Sequence, residues 1–182
     1  MSRLREAAAL GRFQPLHNEH LAYLMTALDR TDFLWIGVVG FKIADMEPVN
    51  ASSPRLFSQF NPYSYFDRLL MISSALSDAA IDPCRYAITP FAFDYPGVAT
   101  EFIPLGIPVL TTVVEEWDHE KIQHLTDIGY AVEVIERRQK TVSGGTVRQA
   151  IAQGIDISAV VPRATMEMVA SRQRANTEVT PC

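Results

Sequence analysis

The sequence has little cysteine, no long apolar run and no excess of positive charge, and each absence excludes a class of protein. Its two cysteines, Cys84 and Cys182, show neither a metal-ligand spacing nor a disulfide framework. No run of about 20 apolar residues is present, which excludes a transmembrane helix. A net charge of −5 argues against broad nucleic-acid binding, which needs a positive face. A small pocket for phosphates stays compatible with this charge.

The composition is that of a folded globular chain. Apolar residues make up 48% of the 182 residues and charged residues 20%. A chain of this length usually forms one domain and buries roughly 70% of its unfolded surface, so it needs no disulfide or metal to fold. We find no repeat, low-complexity tract or linker, and we predict one domain over residues 1–182. The chain reaches Gly11 and Arg12 before a signal-peptide core forms, so we expect a cytoplasmic protein.

Short apolar runs alternate with helical periodicity along the chain. The pattern predicts strands at 7–10, 33–39, 86–88, 109–114 and 130–135, and helices at 18–30, 63–76, 118–128, 146–153 and about 163–174, followed by a tail at 175–182. This alternation is typical of an α/β fold, a parallel sheet with helices on both faces. Residues 41–60 show no clear period and predict a long loop, and 96–108 an irregular segment with one helical turn.

Residues 11–20, Gly-Arg-Phe-Gln-Pro-Leu-His-Asn-Glu-His, join the first predicted strand to the first predicted helix. Parallel sheets bind ligands at this edge, and the N-terminus of a helix attracts phosphate. Three residues apart, His17 and His20 can face one anion from the first helical turn. A lone His-x-x-His is more often a cap and a surface residue, but the adjacent Gly11, Arg12 and Pro15 favour a phosphate site.

Two further segments have the composition of helix starts. In residues 61–72, Asn61 is a good N-cap, Pro62 suits the first helical position and Arg68 lies one turn later. Taken alone, this segment is as easily a structural helix start as a functional one.

In residues 141–148, paired glycines let backbone N–H groups curl around an anion, and a hydroxyl and a guanidinium stand beside them. The residues concerned are Ser143, Gly144, Gly145, Thr146 and Arg148. By itself, a Ser-Gly-Gly is more often a plain turn.

Residues 115–121, Glu-Glu-Trp-Asp-His-Glu-Lys, are best explained as a solvated acidic turn at a helix start. Trp117 either stacks on a base or packs in the core. We interpret His119 and His124 as surface residues. Core packing is also the preferred interpretation of three other aromatic residues, Trp35, Phe91 and Phe93.

The first motif resembles the signature of the nucleotidyltransferase superfamily that carries the His-x-Gly-His motif, and most of all that of archaeal-type nicotinamide-nucleotide adenylyltransferases. Residues 61–72 and 141–148 are similar to two further stretches of that family, in the same order. The resemblance implies a Rossmann-like fold with a nucleotide phosphate site formed by His17, His20, Arg148, Gly11, Arg12, Phe13, Ser143, Gly144, Gly145 and Thr146, with Asn61, Arg68 and Trp117 as further candidates. Two positions differ: Glu19 stands at a family glycine and Gly145 at a family threonine.

The resemblance implies transfer of AMP from ATP to a mononucleotide phosphate, with nicotinamide mononucleotide (NMN) as the first candidate, giving NAD and pyrophosphate. Mg²⁺ is expected on the triphosphate, with few protein ligands. A sister transferase with another phosphate acceptor, such as one using CTP, is the alternative enzyme. A nucleotide-binding protein without turnover is the alternative that Glu19 and Gly145 favour. We expect small-molecule substrates, no nucleic acid or membrane partner, and a homo-oligomer like those of archaeal relatives.

Overall fold

The computed structural model describes residues 3–41, 46, 48, 58–114, 117–137 and 141–178. Five strands form its sheet: β1 (Leu4–Gly11), β2 (Thr31–Val38), β3 (Tyr86–Pro90), β4 (Val109–Val113) and β5 (Val132–Arg137). The helices are α1 (Asn18–Arg30), α2 (Tyr65–Asp78), α3 (Pro96–Ala99), α4 (Trp117–Ile128), α5 (Gly144–Ala152) and α6 (Arg163–Glu178).

The sheet has the order β3-β2-β1-β4-β5, and all of its strand pairs are parallel. The chain builds outwards from β1 to β3 on one side and then crosses to the other side for β4 and β5. This reversal places a topological switch point between β1 and β4, where open parallel sheets bind ligands at their carboxyl edge. The predicted Rossmann-like α/β fold is confirmed.

Two apolar clusters lie on opposite faces of the sheet. Alternate residues of a strand point to opposite faces, and β1 shows this directly. Ala7 and Ala9 join a cluster with residues of α1, α2, α5 and α6, whereas Ala8 and Leu10 join one with α4 and the segment from 91 to 107. The sheet therefore carries helices on both faces, as the sequence predicts.

The start of α2 differs from the prediction. Ser64, not Asn61, is the N-cap: its hydroxyl accepts the Asp67 backbone N–H at 3.1 Å, and the Asp67 carboxylate accepts the Ser64 N–H at 2.7 Å. The prediction that Asn61 caps this helix and Pro62 occupies its first position was wrong. A hydroxyl residue followed three positions later by an acid forms a capping box, and this signal was present in the sequence.

The other departures lie at ends and loops. α6 continues to Glu178, so the part of the predicted tail up to that residue is helical, and residues 179–182 lie outside the described part of the chain. Most of the predicted loop at 41–60 also lies outside it; residues 58–60 form a 3-10 turn. The single helical turn predicted in 96–108 is α3. No helix in the described ranges is both long and apolar enough to cross a membrane.

Candidate functional site

A cavity of about 380 Å³ opens at the carboxyl edge of the sheet, at the switch point between β1 and β4. Its walls come from the ends of β1, β2 and β4, the first turns of α1, α4 and α5, and the residues that precede α5. The cavity brings together predicted site residues from two distant motifs: Gly11, Arg12, His17, His20, Ser143, Gly144, Gly145 and Arg148. Volumes of this size are typical of small-molecule sites.

Tyr23 fills the point where β1 and β4 separate. Its hydroxyl donates to the Leu110 carbonyl at 2.6 Å and accepts the Leu10 backbone N–H at 3.2 Å. β1 and β4 pair through Ala8–Ala9 and Val109–Leu110. Beyond these pairs, the Tyr23 hydroxyl replaces the direct backbone hydrogen bond between the two strands. Burial raises the pKa of Tyr23, which keeps the hydroxyl neutral. Tyr23 lies within the predicted helix 18–30, but nothing in the sequence singled it out, so this role was missed.

His17 is the N-cap of α1, and its Nδ1 accepts the backbone N–H of His20 at 3.4 Å. The two imidazole rings stack with centroids 3.6 Å apart and an interplanar angle of 20°. Because Nδ1 accepts, the neutral ring of His17 carries its proton on Nε2. The capping bond and the stacking together fix both rings at the N-terminus of α1, where N–H groups favour an anion.

Phe13 supports this pair from beneath. Its backbone has φ +50°, a conformation uncommon outside glycine, and its ring is fully buried. The ring meets His20 edge-on at 5.1 Å, and a Cβ on Gly11 would lie 2.6 Å from Phe13 Cζ. Gly11 therefore makes room for the aromatic ring. Phe13 lies in the turn of the first motif, as predicted, but it positions His20 and does not line the cavity.

Arg68 and Asn61, the candidates of the second motif (residues 61–72), lie outside the cavity lining, and Arg68 supports the cavity from behind. Arg68 is buried, and its Nη1 donates to the carbonyls of Arg12 at 2.9 Å and Val39 at 2.6 Å. Burial lowers the pKa of Arg68 to about 10, so the guanidinium stays charged at neutral pH. It holds together the turns that follow β1 and β2. Asn61 lies beside Gly40 in the same region, outside the cavity lining.

Gln14 connects the first motif to the second, and the sequence analysis did not single it out. Its buried side chain donates from Nε2 to the Tyr63 carbonyl at 2.7 Å and accepts the Tyr63 N–H at Oε1 at 3.0 Å. The amide thus satisfies both backbone groups of a residue 49 positions away. A buried glutamine in a turn is visible as a residue type, but its partner is set by packing.

The N-terminus of α5 forms the opposite phosphate-site candidate. Ser143 caps the helix through a capping box: its Oγ accepts the Thr146 N–H at 3.0 Å, and the Thr146 hydroxyl accepts the Ser143 N–H at 3.1 Å. Thr146 is thus occupied in the cap and lies outside the cavity lining. A Cβ on Gly145 would have 3.5 Å to its nearest neighbour, so this position has room for a side chain.

Gly144 and Arg148 join α5 to the turn of the first motif. A Cβ on Gly144 would lie 2.7 Å from the carbonyl oxygen of Gln14, which only glycine permits. The same carbonyl accepts a hydrogen bond from Arg148 Nη1. Burial lowers the pKa of Arg148, while the nearby Tyr63 raises it. The turn of the first motif, which leads into α1, is therefore also in contact with the N-terminal part of α5.

Residues 115–121, predicted as a solvated acidic turn at a helix start, do contain the start of α4, and Glu120 is exposed. The solvated interpretation is wrong for Asp118, in the first turn of α4, and Glu115 and Glu116 lie outside the described residues. Asp118 is only 6% exposed, and its carboxylate accepts the Val114 N–H at 2.9 Å. Lys121 Nζ lies 4.0 Å from Asp118, and both side chains line the cavity. The acid caps the end of β4 instead of facing water. The α4 backbone begins at Trp117, whose side chain lies outside what the structure describes.

Some of the predictions for aromatic and histidine side chains agree with the structure, and others do not. Phe93 lines the cavity, whereas Phe91 is buried in the core and Trp35 donates to Glu6 at 3.0 Å. His119 is exposed, as predicted. His124 is not a plain surface residue: its Nε2 lies 2.8 Å from the Phe93 carbonyl and its ring packs on the Phe93 ring. His124 therefore braces one wall of the cavity.

Comparison with known proteins decides the family. The chain matches no protein-family model. It is 32% identical over 160 residues to phosphonoformate cytidylyltransferase of Streptomyces viridochromogenes, and the match covers 87% of both chains. The chain belongs to the nucleotidyltransferase superfamily. This nucleotidyltransferase is also 24% identical over 162 residues to nicotinamide-nucleotide adenylyltransferase of Thermococcus kodakarensis, a match that covers 88% of its own chain and 79% of the relative.

Solved structures share the fold of this nucleotidyltransferase. A bifunctional NMN adenylyltransferase/ADP ribose pyrophosphatase from Francisella tularensis matches 94% of the chain with a TM-score of 0.59 and 18% identity. The match spans about half of that structure's chain, 54%. A nicotinate-nucleotide adenylyltransferase, described as putative, from Vibrio parahaemolyticus gives a TM-score of 0.57 at 12% identity. The predicted family and enzyme class are confirmed, and the relatives include both adenylyl and cytidylyl transferases.

The carboxylates at the cavity are the groups that could contribute to a metal site in this nucleotidyltransferase. No group of three or more His, Cys, Asp or Glu residues able to hold a metal occurs in the described ranges. Glu19, Asp94 and Asp118 line the cavity as carboxylates, and those of Glu19 and Asp118 also accept backbone N–H groups. Mg²⁺ is usually held by one or two carboxylates together with substrate phosphates and water. These residues fit a Mg²⁺ bound mainly by the triphosphate.

Proposed function

We propose that this nucleotidyltransferase transfers a nucleoside monophosphate group from a nucleoside triphosphate to an oxygen of a phosphate or phosphonate acceptor, releasing pyrophosphate. One observation carries the proposal: the stacked His17–His20 pair at the start of α1 and Arg148 near the start of α5 line the same cavity. Two helix N-termini with adjacent cationic and imidazole groups suit a chain of phosphates. Arg12 adds a further cation.

The reaction needs no covalent intermediate. The acceptor oxygen attacks the α-phosphorus in line, a new P–O bond forms, and the bond to the β-phosphate oxygen breaks to release pyrophosphate. His17 and His20 hold the phosphates, while Arg12 and Arg148 offset the charge that develops on the leaving group. Mg²⁺ on the triphosphate supplies further charge neutralisation. Catalysis is then mainly positioning and electrostatic stabilisation.

Two substrate pairs compete for this reaction. The relative with the higher identity is a phosphonoformate cytidylyltransferase, which favours CTP with a small phosphonate acceptor. Lys121 adds a cation from α4 that suits a second acidic group on such an acceptor. The second pair, ATP with NMN, is the one that the motif resemblance implies, and the adenylyltransferase relatives support it. We place the cytidylyl reaction first.

The test is pyrophosphate release by the purified protein with Mg²⁺. CTP and ATP are each combined with phosphonoformate and with NMN, and a His17→Ala/His20→Ala double variant controls for contaminating enzymes. We expect release with CTP and phosphonoformate that the double variant lacks. Release confined to ATP with NMN would instead establish the adenylyl reaction. Tight nucleotide binding without release from any pair would support the non-catalytic alternative and overturn the proposal.

A further inference from the structure

Glu19 makes a contact that the glycine of the family motif cannot make. Its Oε1 accepts hydrogen bonds from the Thr141 N–H at 2.8 Å, the Thr141 hydroxyl at 2.6 Å and the Val142 N–H at 3.1 Å. Thr141 and Val142 come directly before Ser143, the N-cap of α5. One carboxylate oxygen in the first turn of α1 thus gathers three donors from a segment about 122 residues later.

This geometry replaces both orientations that the sequence leaves open for Glu19. An inward carboxylate would compete with phosphate for the N–H groups of α1, and an outward one would only stabilise the helix end. The side chain instead reaches across to the backbone that enters α5. Hydrogen bonds to an ionised carboxylate are about twice as strong as neutral ones.

A second contact holds the same helix start from its other side. Gly144 and Arg148 meet the carbonyl of Gln14, in the turn that leads to α1. The entry to α5 is therefore attached to the first motif at two points, one before Ser143 through Glu19 and one after it through Gln14. The two attachments hold the start of α5 against the first motif on both sides of Ser143.

We infer that Glu19 is a positioning residue that sets the separation of the two helix N-termini which bind the triphosphate. The inference rests on the proposed function to the extent that both helix ends bind phosphate. Glu19 touches no reacting atom in this scheme and acts through Thr141 and Val142. In this chain a side chain therefore links the first turn of α1 to the segment that leads into α5.

Three substitutions distinguish the hydrogen bonds that Glu19 makes to the segment before α5 from the effect of its negative charge. Glu19→Gly removes the contact and the charge, whereas Glu19→Gln removes the charge but keeps an oxygen that accepts the same N–H groups. Thr141→Val removes only the hydroxyl donor. Glu120→Gln is the matched control, since Glu120 is an exposed acid in the first turn of α4. If Glu19 positions α5, Glu19→Gln keeps most of kcat while Glu19→Gly loses about tenfold to a hundredfold, the cost of small misplacements at a reaction centre.

The first measurement is amide hydrogen exchange at Thr141 and Val142 in the ligand-free protein, which needs no substrate. We expect Glu19→Gly to speed exchange at these two amides by about tenfold or more, Glu19→Gln much less, and Glu120→Gln not at all. Thr141→Val should speed exchange in the wild-type background and have no further effect in Glu19→Gly. If Glu19→Gly fails to fold, exchange at the same two amides is compared between wild type, Glu19→Gln and Thr141→Val. Unchanged exchange in every Glu19 variant would overturn the inference.

The second measurement is calorimetric titration with pyrophosphate at two ionic strengths. We expect Glu19→Gly to bind pyrophosphate no tighter than wild type. A salt-dependent gain shared equally by Glu19→Gly and Glu19→Gln would show that Glu19 acts only as a repelling charge, and would overturn the positioning role. Absence of both pyrophosphate and nucleotide binding in the wild type would contradict the proposed function, while the exchange result would still decide whether Glu19 holds the lead-in to α5.

Discussion

The guanidinium of Arg148 donates a hydrogen bond to the backbone carbonyl of Gln14, which lies 134 residues earlier in the chain. The bond does two things at once: it attaches α5 to the turn of the first motif, and it fixes a cation in the wall of the cavity. Contacts between the first and last motifs thus assemble the proposed phosphate site of this nucleotidyltransferase. Four predictions follow from such contacts.

Arg148→Ala should weaken triphosphate binding and slow turnover, since it removes the cation and the bond to Gln14. Arg148→Lys should restore only part of both, because an ammonium lacks the planar fork that serves the carbonyl and a phosphate together. Nucleotide titration and steady-state kinetics measure the two effects. Wild-type kinetics in Arg148→Ala would exclude the role assigned to this residue.

His17 combines a structural and a chemical role, and asparagine separates them. Asn is a good N-cap, so His17→Asn should retain the stability of α1 while losing the imidazole and most of the turnover. His17→Ala should lose the turnover and also about 0.5–2 kcal/mol of stability, the usual cost of removing a cap. Denaturant titration and pyrophosphate release report the two properties separately. Full activity in His17→Asn would show that capping is the whole function of this residue.

Gly144 and Gly145 are neighbours that should respond differently to the same change. Gly144→Ala places a methyl group 2.7 Å from the Gln14 carbonyl oxygen, so the helix start must shift. We expect a loss of about 1–3 kcal/mol, as for other overpacked sites. Gly145→Ala meets only ordinary contacts and should be neutral or slightly stabilising. Thermal unfolding of both variants is the measurement, and equal melting temperatures would contradict the close approach at Gly144.

Tyr23→Phe should destabilise the protein at the point where β1 and β4 separate. The change leaves the Leu10 N–H and the Leu110 carbonyl without the phenol that joins them. Unsatisfied buried groups cost about 1–3 kcal/mol. Tyr65→Phe is the matched control, because its partly buried hydroxyl makes one long bond of 3.4 Å to Ile88. A Tyr23→Phe loss no greater than that of Tyr65→Phe in urea titrations would refute the bridging role.

The sequence alone predicts most of the strands and helices, and it predicts the two motifs, 11–20 and 141–148, that meet at the cavity. The apolar run at the end of β1 and the helical spacing after His17 are local patterns, and they predict a strand followed by a helix at the correct positions. Local cues also exist where the prediction failed. Ser64 and Asp67 form a capping box three residues apart, yet the adjacent Asn-Pro was preferred as the helix start.

The roles of individual side chains depend on packing that no local pattern encodes. Arg68 resembles a phosphate ligand by residue type, but burial directs it to the carbonyls of Arg12 and Val39. Asp118 belongs to an acidic run that is typical of a solvated turn, yet its partner is the N–H of Val114 at the end of β4. Whether an ionic group faces water or a backbone partner depends on which elements meet there.

By itself, the sequence determined the order of strands and helices, which follows from periodicity over spans of a few positions. It also predicted the family, through the resemblance of three motifs, and candidate phosphate-binding residues in the first and last motifs. Only the tertiary structure decided that Gln14 forms hydrogen bonds with Tyr63 and Arg148. It also decided that the Glu19 carboxylate accepts hydrogen bonds from Thr141 and Val142. The physical reason is that a buried or charged polar group must find a partner, and the crossing of the chain between β1 and β4 determines which distant backbone groups are within reach.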